Sequence, residues 1–379
     1  MKVEDFSEEY SEEETMTLFF GPQHPGSGHL RFDVILDGDV IVDLIPDVGW
    51  VHRGVEKIAE TKKFVQAIPL VERPGLPDSA NMNIGYVRAV EEILEIECPA
   101  RARYIRTLLC ELSRIASHLY GIGIFGNMIG SSTVYMWSFS DREIFIELLQ
   151  EFTGARLTYS YFLPGGVRGN PPQDFEEKVE RGLSYFENRV SDYRSLVFDN
   201  PIVRGRLEDV GIISGEKAKE LGITGPNLRA SGVGYDVRSF VDYGAYRELD
   251  FEPALRREGD SFARLMIRFD EIEESIRLIR KSLEKMPKGK IMHEKTRSIN
   301  NLITMNMPEG WAFSRVECGR GELTYFIESD GGDKPNRMRL ITPSFRNLVA
   351  FREVVVGHRL ADLPAIYGSL DYFPPGADR

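Results

Sequence analysis

The sequence predicts an α+β fold, a long central helical bundle with small N-terminal and C-terminal β elements. Three patterns carry that prediction. Thr15 to Phe20, Leu30 to Leu36 and Val40 to Ile45 are apolar-rich runs, and the last two are joined by Asp37-Gly38, the strongest short hairpin signal. After Pro99 the period changes. Ile105, Leu108, Leu109, Leu112, Ile115, Ala116, Leu119 and Ile122 follow the spacing of a long, core-facing helix. Trp311 to Glu317 and Gly321 to Glu328 then resemble a second hairpin.

In chain order, residues 1-50 are an N-terminal β element and 51-199 a helical core with further helices over 132-152 and 173-197. Residues 200-258, rich in glycine and turn residues, are expected to form a small α/β insertion. Residues 259-379 open with a helix from Gly259 to Met286, whose apolar positions include Leu265, Met266, Ile272, Ile276 and Ile279. A polar, basic loop from Pro287 to Asn301 leads into the second hairpin, which Met338 to Ile341 extends, and a last helix lies near 344-353.

A chain of 379 residues with 42% hydrophobic and 28% charged content can bury a sizeable core, as one large domain or two or three interlocked ones. Its longest apolar stretches, such as Leu119 to Ile129, are interrupted and fall short of the ~20 residues a membrane span needs. The N-terminus, with Glu4, Asp5, Glu8, Glu9, Glu12, Glu13 and Glu14, lacks the basic start and apolar stretch of a secretory signal, so the chain is expected in the cytoplasm. A formal charge of -12 argues against a nucleic-acid partner. Cys98, Cys110 and Cys318 stand far apart with no C-x-x-C pair, so buried thiols are expected rather than disulfides or cluster ligands.

Two places carry candidate chemistry. The loop Gly21 to His29 holds two histidines, three glycines and two prolines, and can approach a ligand closely with a side-chain type that titrates near neutrality. The alternative is a hairpin turn with surface histidines. Tyr86, within Asn83 to Glu91, is either a packed core tyrosine or a phenol able to donate a hydrogen bond and a proton to a reduced acceptor.

The chain also resembles the large subunit of nickel–iron hydrogenases with the nickel ligands removed. Glu72-Arg73-Pro74-Gly75-Leu76-Pro77-Asp78 and Ser369-Leu370-Asp371-Tyr372-Phe373-Pro374-Pro375-Gly376 sit where that family carries two Cys-x-x-Cys pairs. Gly75, Asp78, Phe373 and Gly376 hold the cysteine positions, and glycine and phenylalanine offer no sulfur to a soft metal. The chain is thus similar to the D (49 kDa) subunits of respiratory complex I and of archaeal reduced-deazaflavin dehydrogenases. Strings from Gly21-Pro22-Gln23-His24-Pro25 through Leu112-Ser113-Arg114-Ile115-Ala116-Ser117-His118, Arg229-Ala230-Ser231-Gly232 and Ser329-Asp330-Gly331-Gly332 to Ala377-Asp378-Arg379 follow that family's order.

That resemblance implies a hydrogenase-large-subunit-like fold in which both chain ends return to the former metal site and bring Arg73 near Asp371. It implies no metal or cofactor held by this chain alone. A [4Fe-4S] cluster would belong to a partner B subunit, with C and I subunits and a membrane H subunit completing a peripheral, ion-translocating assembly on the cytoplasmic face of the membrane. Electrons from NADH or reduced deazaflavin would reduce a quinone such as menaquinone, or methanophenazine. His29 is chosen as the histidine that bonds one acceptor carbonyl, with His24 as the structural alternative, because the loop is one residue shorter than the family's. Tyr86 matches the tyrosine on the other carbonyl. Arg73 is expected near the cluster, with an ion pair to Glu72 or Asp371 as the plainer reading. Thr158 and Met128 replace a histidine and an aspartate of quinone-reducing relatives. Arg53, Glu56 and Lys57 are read as structural or interface residues, and His118, His293 and His358 as packing or surface. A non-catalytic scaffold role is the alternative, and a metal-using hydrogenase or sulfur reductase relative the remote one.

Overall fold

A computed structural model describes residues 15–24 and 28–379; the acidic N-terminal run and Pro25, Gly26 and Ser27 of the histidine loop lie outside the described residues. Strands β1 (Met16–Phe20), β2 (Arg31–Asp37) and β3 (Val40–Asp47) form an antiparallel sheet in that order. Alternation decides its faces: Phe32, Val34 and Leu36 of β2 are buried, while the residues between them are half-exposed. Gly38 takes φ 60° in the β2–β3 turn, a conformation glycine reaches without strain.

The bundle consists of α1 (Ser79–Ile93), α2 (Ala100–Met128), α3 (Ser132–Thr153), α4 (Phe175–Tyr193) and α5 (Ser261–Lys285). Helix α2 is its axis. Because α1, α3 and α5 surround it, α2 is buried on almost every side from Ala102 to Gly126, polar residues included. Asp260 starts α5 by accepting a hydrogen bond from the Ala263 amide at 2.7 Å, and Gly154 ends α3 at φ 83°. A second antiparallel sheet, β4 (Glu309–Cys318), β5 (Gly321–Asp330) and β6 (Arg337–Ile341), lays Ala312, Val316, Leu323, Tyr325 and Ile327 against the core, and α1 packs on its first two strands.

Three expectations are corrected. Residues 200-258 contain no strand among the described residues; short helices Pro201–Leu207, Gly215–Glu220, Pro226–Ala230 and Val237–Phe240 occupy the segment. Their starts explain this: Asn200, Ser214 and Asp236 each turn a side-chain oxygen onto a helix amide, so the turn residues cap helices instead of joining strands. The expected loop 287-301 includes a helical turn, Glu294–Thr296, capped by His293, and runs into Ile299–Thr304. The last helix divides into Pro343–Asn347 and Ala350–Val355, followed by α6 (Leu363–Leu370).

A buried charge network holds these parts together. Arg229 pairs with Glu271 of α5 at 2.6 Å, Glu317 of β4 at 2.8 Å and Asp236 at 3.0 Å, all essentially free of solvent. Arg238 continues from Asp236 to Glu111 of α2, which also pairs with Arg114 and accepts hydrogen bonds from Tyr246 and Ser275. Burial alone would raise the Glu271 carboxyl, but Arg229 and His118 outweigh it and hold it well below the usual range. Removing one partner from such a set strands the others. Arg229→Met should therefore lower the unfolding free energy by about 3–5 kcal/mol, read as a shift of the urea midpoint at unchanged slope; a loss under about 1 kcal/mol would contradict the network's role.

Candidate functional site

The two segments that resemble the hydrogenase cysteine motifs do converge. The short helix Pro374–Asp378 packs on residues 73–78, and Gly75, Asp78, Phe373 and Gly376 all line one small, largely apolar cavity of about 20 Å³. A side-chain carbon on Gly75 would lie 2.6 Å from the Cγ and Sδ atoms of Met82, so methionine fills the space a cysteine would need. Asp78 is fully buried and already accepts hydrogen bonds from the Gly319 amide (2.7 Å), Asn81 (2.7 Å) and Ser113 (3.1 Å). A nickel–iron centre does not fit this donor set. Of the three cysteines, Cys110 and Cys318 are buried as expected, but Cys98 is only partly so.

A second, larger cavity of about 350 Å³ opens beside it, where the loop after β1, helices α2 and α6 and the C-terminal arm meet. Two glycines permit that meeting. A side-chain carbon at Gly121 of α2 would touch the Asp371 carboxylate at 2.9 Å, and one at Gly368 of α6 would strike the Phe125 ring at 2.4 Å. Asp371 ends α6 with φ 51°, a left-handed conformation that aspartate tolerates. Its carboxylate lines the cavity and is flanked by Arg320 at 2.9 Å and Arg268 at 3.7 Å. His29 also lines it, exposed and with no hydrogen bond to any described residue, and Met128 is part of the same lining. Tyr120, Tyr367, Tyr372 and Phe373 complete an aromatic lining. Burial pushes the Tyr120 phenol up, so it stays protonated.

The remaining candidates fall elsewhere. His24 does not line the cavity: its carbonyl accepts from the Gly28 amide at 2.9 Å and its ring packs 4.0 Å from Phe20, so it shapes the loop. Tyr86 is corrected. It is completely buried, its hydroxyl donates to the Phe64 carbonyl at 2.8 Å, its ring packs edge-on against Tyr325, and it lines neither cavity. The plainer reading of Arg73 fails as well. Arg73 is exposed and pairs with neither Glu72, which bonds Ser160, nor Asp371. His118 is neither surface nor plain packing: its Nε2 lies 2.9 Å from Glu271 inside the charge network. Glu56 bonds the Leu340 amide at 2.7 Å and Arg53 reaches the Arg73 carbonyl at 3.4 Å, both structural contacts. Sequence reasoning misses Tyr120 and Tyr372. Tyr372 had one available signal, a place beside Asp371 in the arm that replaces a cysteine motif.

Opposite the arm, the loop bearing Thr158 is tied down by Glu72. Ser160 donates to Glu72 through its amide at 2.8 Å and its hydroxyl at 3.5 Å, and Ser79 donates to the Leu157 carbonyl. Burial pushes the Glu72 carboxyl up to about 8 against the pull of the Ser160 bonds.

The helical bundle, with the C-terminal arm closing on residues 73–78, gives the class of fold against which known proteins can be compared. The family described as "Respiratory-chain NADH dehydrogenase, 49 Kd subunit" matches residues 128–379. One D subunit of the NADH-quinone oxidoreductase of Chloroherpeton thalassium is 39% identical over 99% of this chain and 90% of its own length. The D subunit of the F(420)H(2) dehydrogenase of Methanosarcina mazei is 38% identical over 98% of this chain and 100% of its own. A chain in the solved structure of the membrane-bound sulfane sulfur reductase, an archaeal respiratory membrane complex, superimposes with a TM-score of 0.92 at 37% identity, covering 97% of this chain and 99% of that one. The protein belongs to the 49 kDa, or D, family of respiratory-chain NADH dehydrogenase subunits. None of its helices is long and apolar enough to cross a membrane among the described residues.

Two measurements follow from this geometry. Tyr86→Phe removes one buried hydrogen bond and should cost about 1 kcal/mol of stability with turnover of the assembled complex unchanged; a slowed turnover would return Tyr86 to the reaction. For Glu72, the folded chain binds the proton more tightly than the unfolded one, whose carboxyl titrates near its ordinary 4.5. Its contribution is therefore complete below that value and lost as pH rises toward about 8. The uncharged Glu72→Gln should match the wild type near or below about pH 4 and exceed it above pH 8 by an amount on the order of 1 kcal/mol or more, seen as a pH-dependent gap in Tm.

Proposed function

We propose that the larger cavity is where a flat, lipophilic quinone or phenazine is reduced, and that the chain is a peripheral-arm subunit of a membrane-bound, ion-translocating oxidoreductase on the cytoplasmic face of the membrane. The observation that supports this most is that one aromatic-lined pocket holds both an unengaged imidazole, His29, and a guanidinium-flanked carboxylate, Asp371. Aromatic walls suit a planar ring, and the two polar groups suit its hydrogen-bonding ends.

Reduction of such an acceptor takes two electrons and two protons. Electrons would arrive one at a time from a [4Fe-4S] cluster held by the B subunit, drawn from NADH or reduced deazaflavin; C, I and membrane H subunits complete the assembly. In this chain, His29 passes protons from water to the acceptor, and Asp371, fixed by Arg320 and Arg268, orients it. Arg73, exposed and with no ion pair among the described residues, is free to face the cluster, where a fixed positive charge would favour the reduced state. Met128 lines the same pocket at a position where, by the resemblance, quinone-reducing relatives carry an aspartate, which favours a menaquinone or a phenazine over ubiquinone.

The test is acceptor reduction by the assembled complex carrying His29→Gln. Because His29 has no partner among the described residues, folding should be untouched while kcat/KM falls about tenfold, equivalent to about 1.4 kcal/mol in the barrier, with a menaquinone or a phenazine analogue. Unchanged rates with both would favour the scaffold reading. The likeness to the sulfane sulfur reductase chain supports a second reading, and turnover with polysulfide alone would select it.

A further inference from the structure

The C-terminal sheet ends on an uncovered edge. In the order β4-β5-β6, β4 pairs with β5 along one side only. Which of its residues face the other side follows from the covered end. The Glu317 amide donates to the Tyr243 hydroxyl at 2.9 Å, its carbonyl accepts from Arg114 at 2.7 Å, and the Arg315 carbonyl accepts from Arg88 at 3.1 Å. Opposite Glu317, the Glu322 amide likewise turns away, to Thr224 at 2.9 Å. Residues 315 and 317 therefore direct their backbone groups away from β5, and the two-residue repeat of a strand gives Trp311 and Phe313 the same direction. There the amides and carbonyls of Trp311 and Phe313 make no hydrogen bond with any described residue.

Their side chains are as bare as their backbones. Trp311 is 68% exposed and Phe313 46%, on the face opposite the buried Ala312 and Ser314, and the Trp311 ring lies 6.2 Å from that of Phe326 on β5. Free edge strands are ordinarily blunted by proline, lysine, a bulge or an overlying element, because an unpaired edge accepts any strand it meets. Trp311-Ala312-Phe313-Ser314 contains neither proline nor lysine, and the β4–β5 register runs without a shift from Glu309 to Cys318.

We propose that residues 309–314 of β4 are a docking edge whose occupant is an extended segment of another subunit of the respiratory complex, added to this sheet as a fourth strand. Hydrogen-bond complementarity selects a strand. Outward donors and acceptors recur every second residue, about 7 Å apart, which another extended backbone matches; a helix spends its amides and carbonyls on itself, and a lipid tail has none. Alternate side chains of the added strand lie beside Trp311 and Phe313, so apolar residues are expected there. No residue of this edge lines either cavity described above, and the proposal stands or falls without the acceptor assignment.

Hydrogen–deuterium exchange of the assembled complex tests it. The Trp311 and Phe313 amides, with no partner among the described residues, should exchange about 100-fold or more slower than unstructured amides; exchange at the unstructured rate overturns the proposal. A photoreactive benzoylphenylalanine replacing Trp311 should cross-link to a segment of a different subunit, and a cross-link to a second copy of this chain, to lipid or to nothing overturns it. Phe313→Pro removes one outward amide and no bond between β4 and β5, since proline is accepted on the open side of an edge strand. The cross-linked subunit should therefore leave the Phe313→Pro complex about tenfold faster than the Phe313→Ala complex, which lacks only the ring. Equal rates would show that the ring alone holds the partner, and strand addition falls.

Discussion

The structure depends on Arg229. A guanidinium with three carboxylates around it and no access to water is tolerable only if every donor is satisfied in a fixed geometry. Those carboxylates come from α5, β4 and the segment before Val237–Phe240, so meeting this condition fixes the bundle, the C-terminal sheet and the 200-258 segment relative to one another. The same network continues toward the cavity. Glu271 and Arg268 lie one turn apart on α5, and Arg268 reaches Asp371. The carboxylate in the cavity wall is thereby attached to the rigid interior even though it sits near the end of the chain.

Close approach is the second constraint. Gly121 and Gly368 have no side chain where α6 crosses α2, and neither could gain one without striking Asp371 or Phe125. The crossing brings the C-terminal arm onto the bundle axis, and the arm then supplies Tyr372, Phe373 and Pro374 to the cavity. The arm supplies no sulfur. Met82 fills the volume beside Gly75 and Phe373 packs in the pocket wall, so the positions that resemble cysteine sites serve packing.

Much of this was legible in the sequence, for reasons that differ by element. The periodic apolar face of α2 and the Asp37-Gly38 turn announce themselves because they rest on local spacing. The convergence of residues 72-78 and 369-376 rests on resemblance alone, since nothing local indicates that two segments so far apart in sequence meet. Tyr86 shows the limit. Its surroundings in sequence match a functional string, but whether a phenol faces a cavity or a carbonyl depends on Phe64, 22 residues away, which no spacing rule anticipates. Residues 200-258 differ from expectation for a related reason: Asn, Ser and Asp before short runs can cap a helix or make a turn, and packing against α5 and α6 decides for the helices.

The two cavities share a wall at the C-terminal arm. Phe373 lines both, and the Arg320–Asp371 pair runs through the wall between them, with Arg320 facing the smaller cavity and Asp371 the larger. The Phe373 ring is held in that wall by Arg320, 5.3 Å from its centre, and by Tyr120 edge-on at 6.3 Å. On one side the lining is largely apolar and closed by Met82; on the other it carries an imidazole, a carboxylate and phenols. One aromatic ring and one ion pair thus separate a largely apolar pocket from one whose wall carries imidazole, carboxylate and tyrosine side chains.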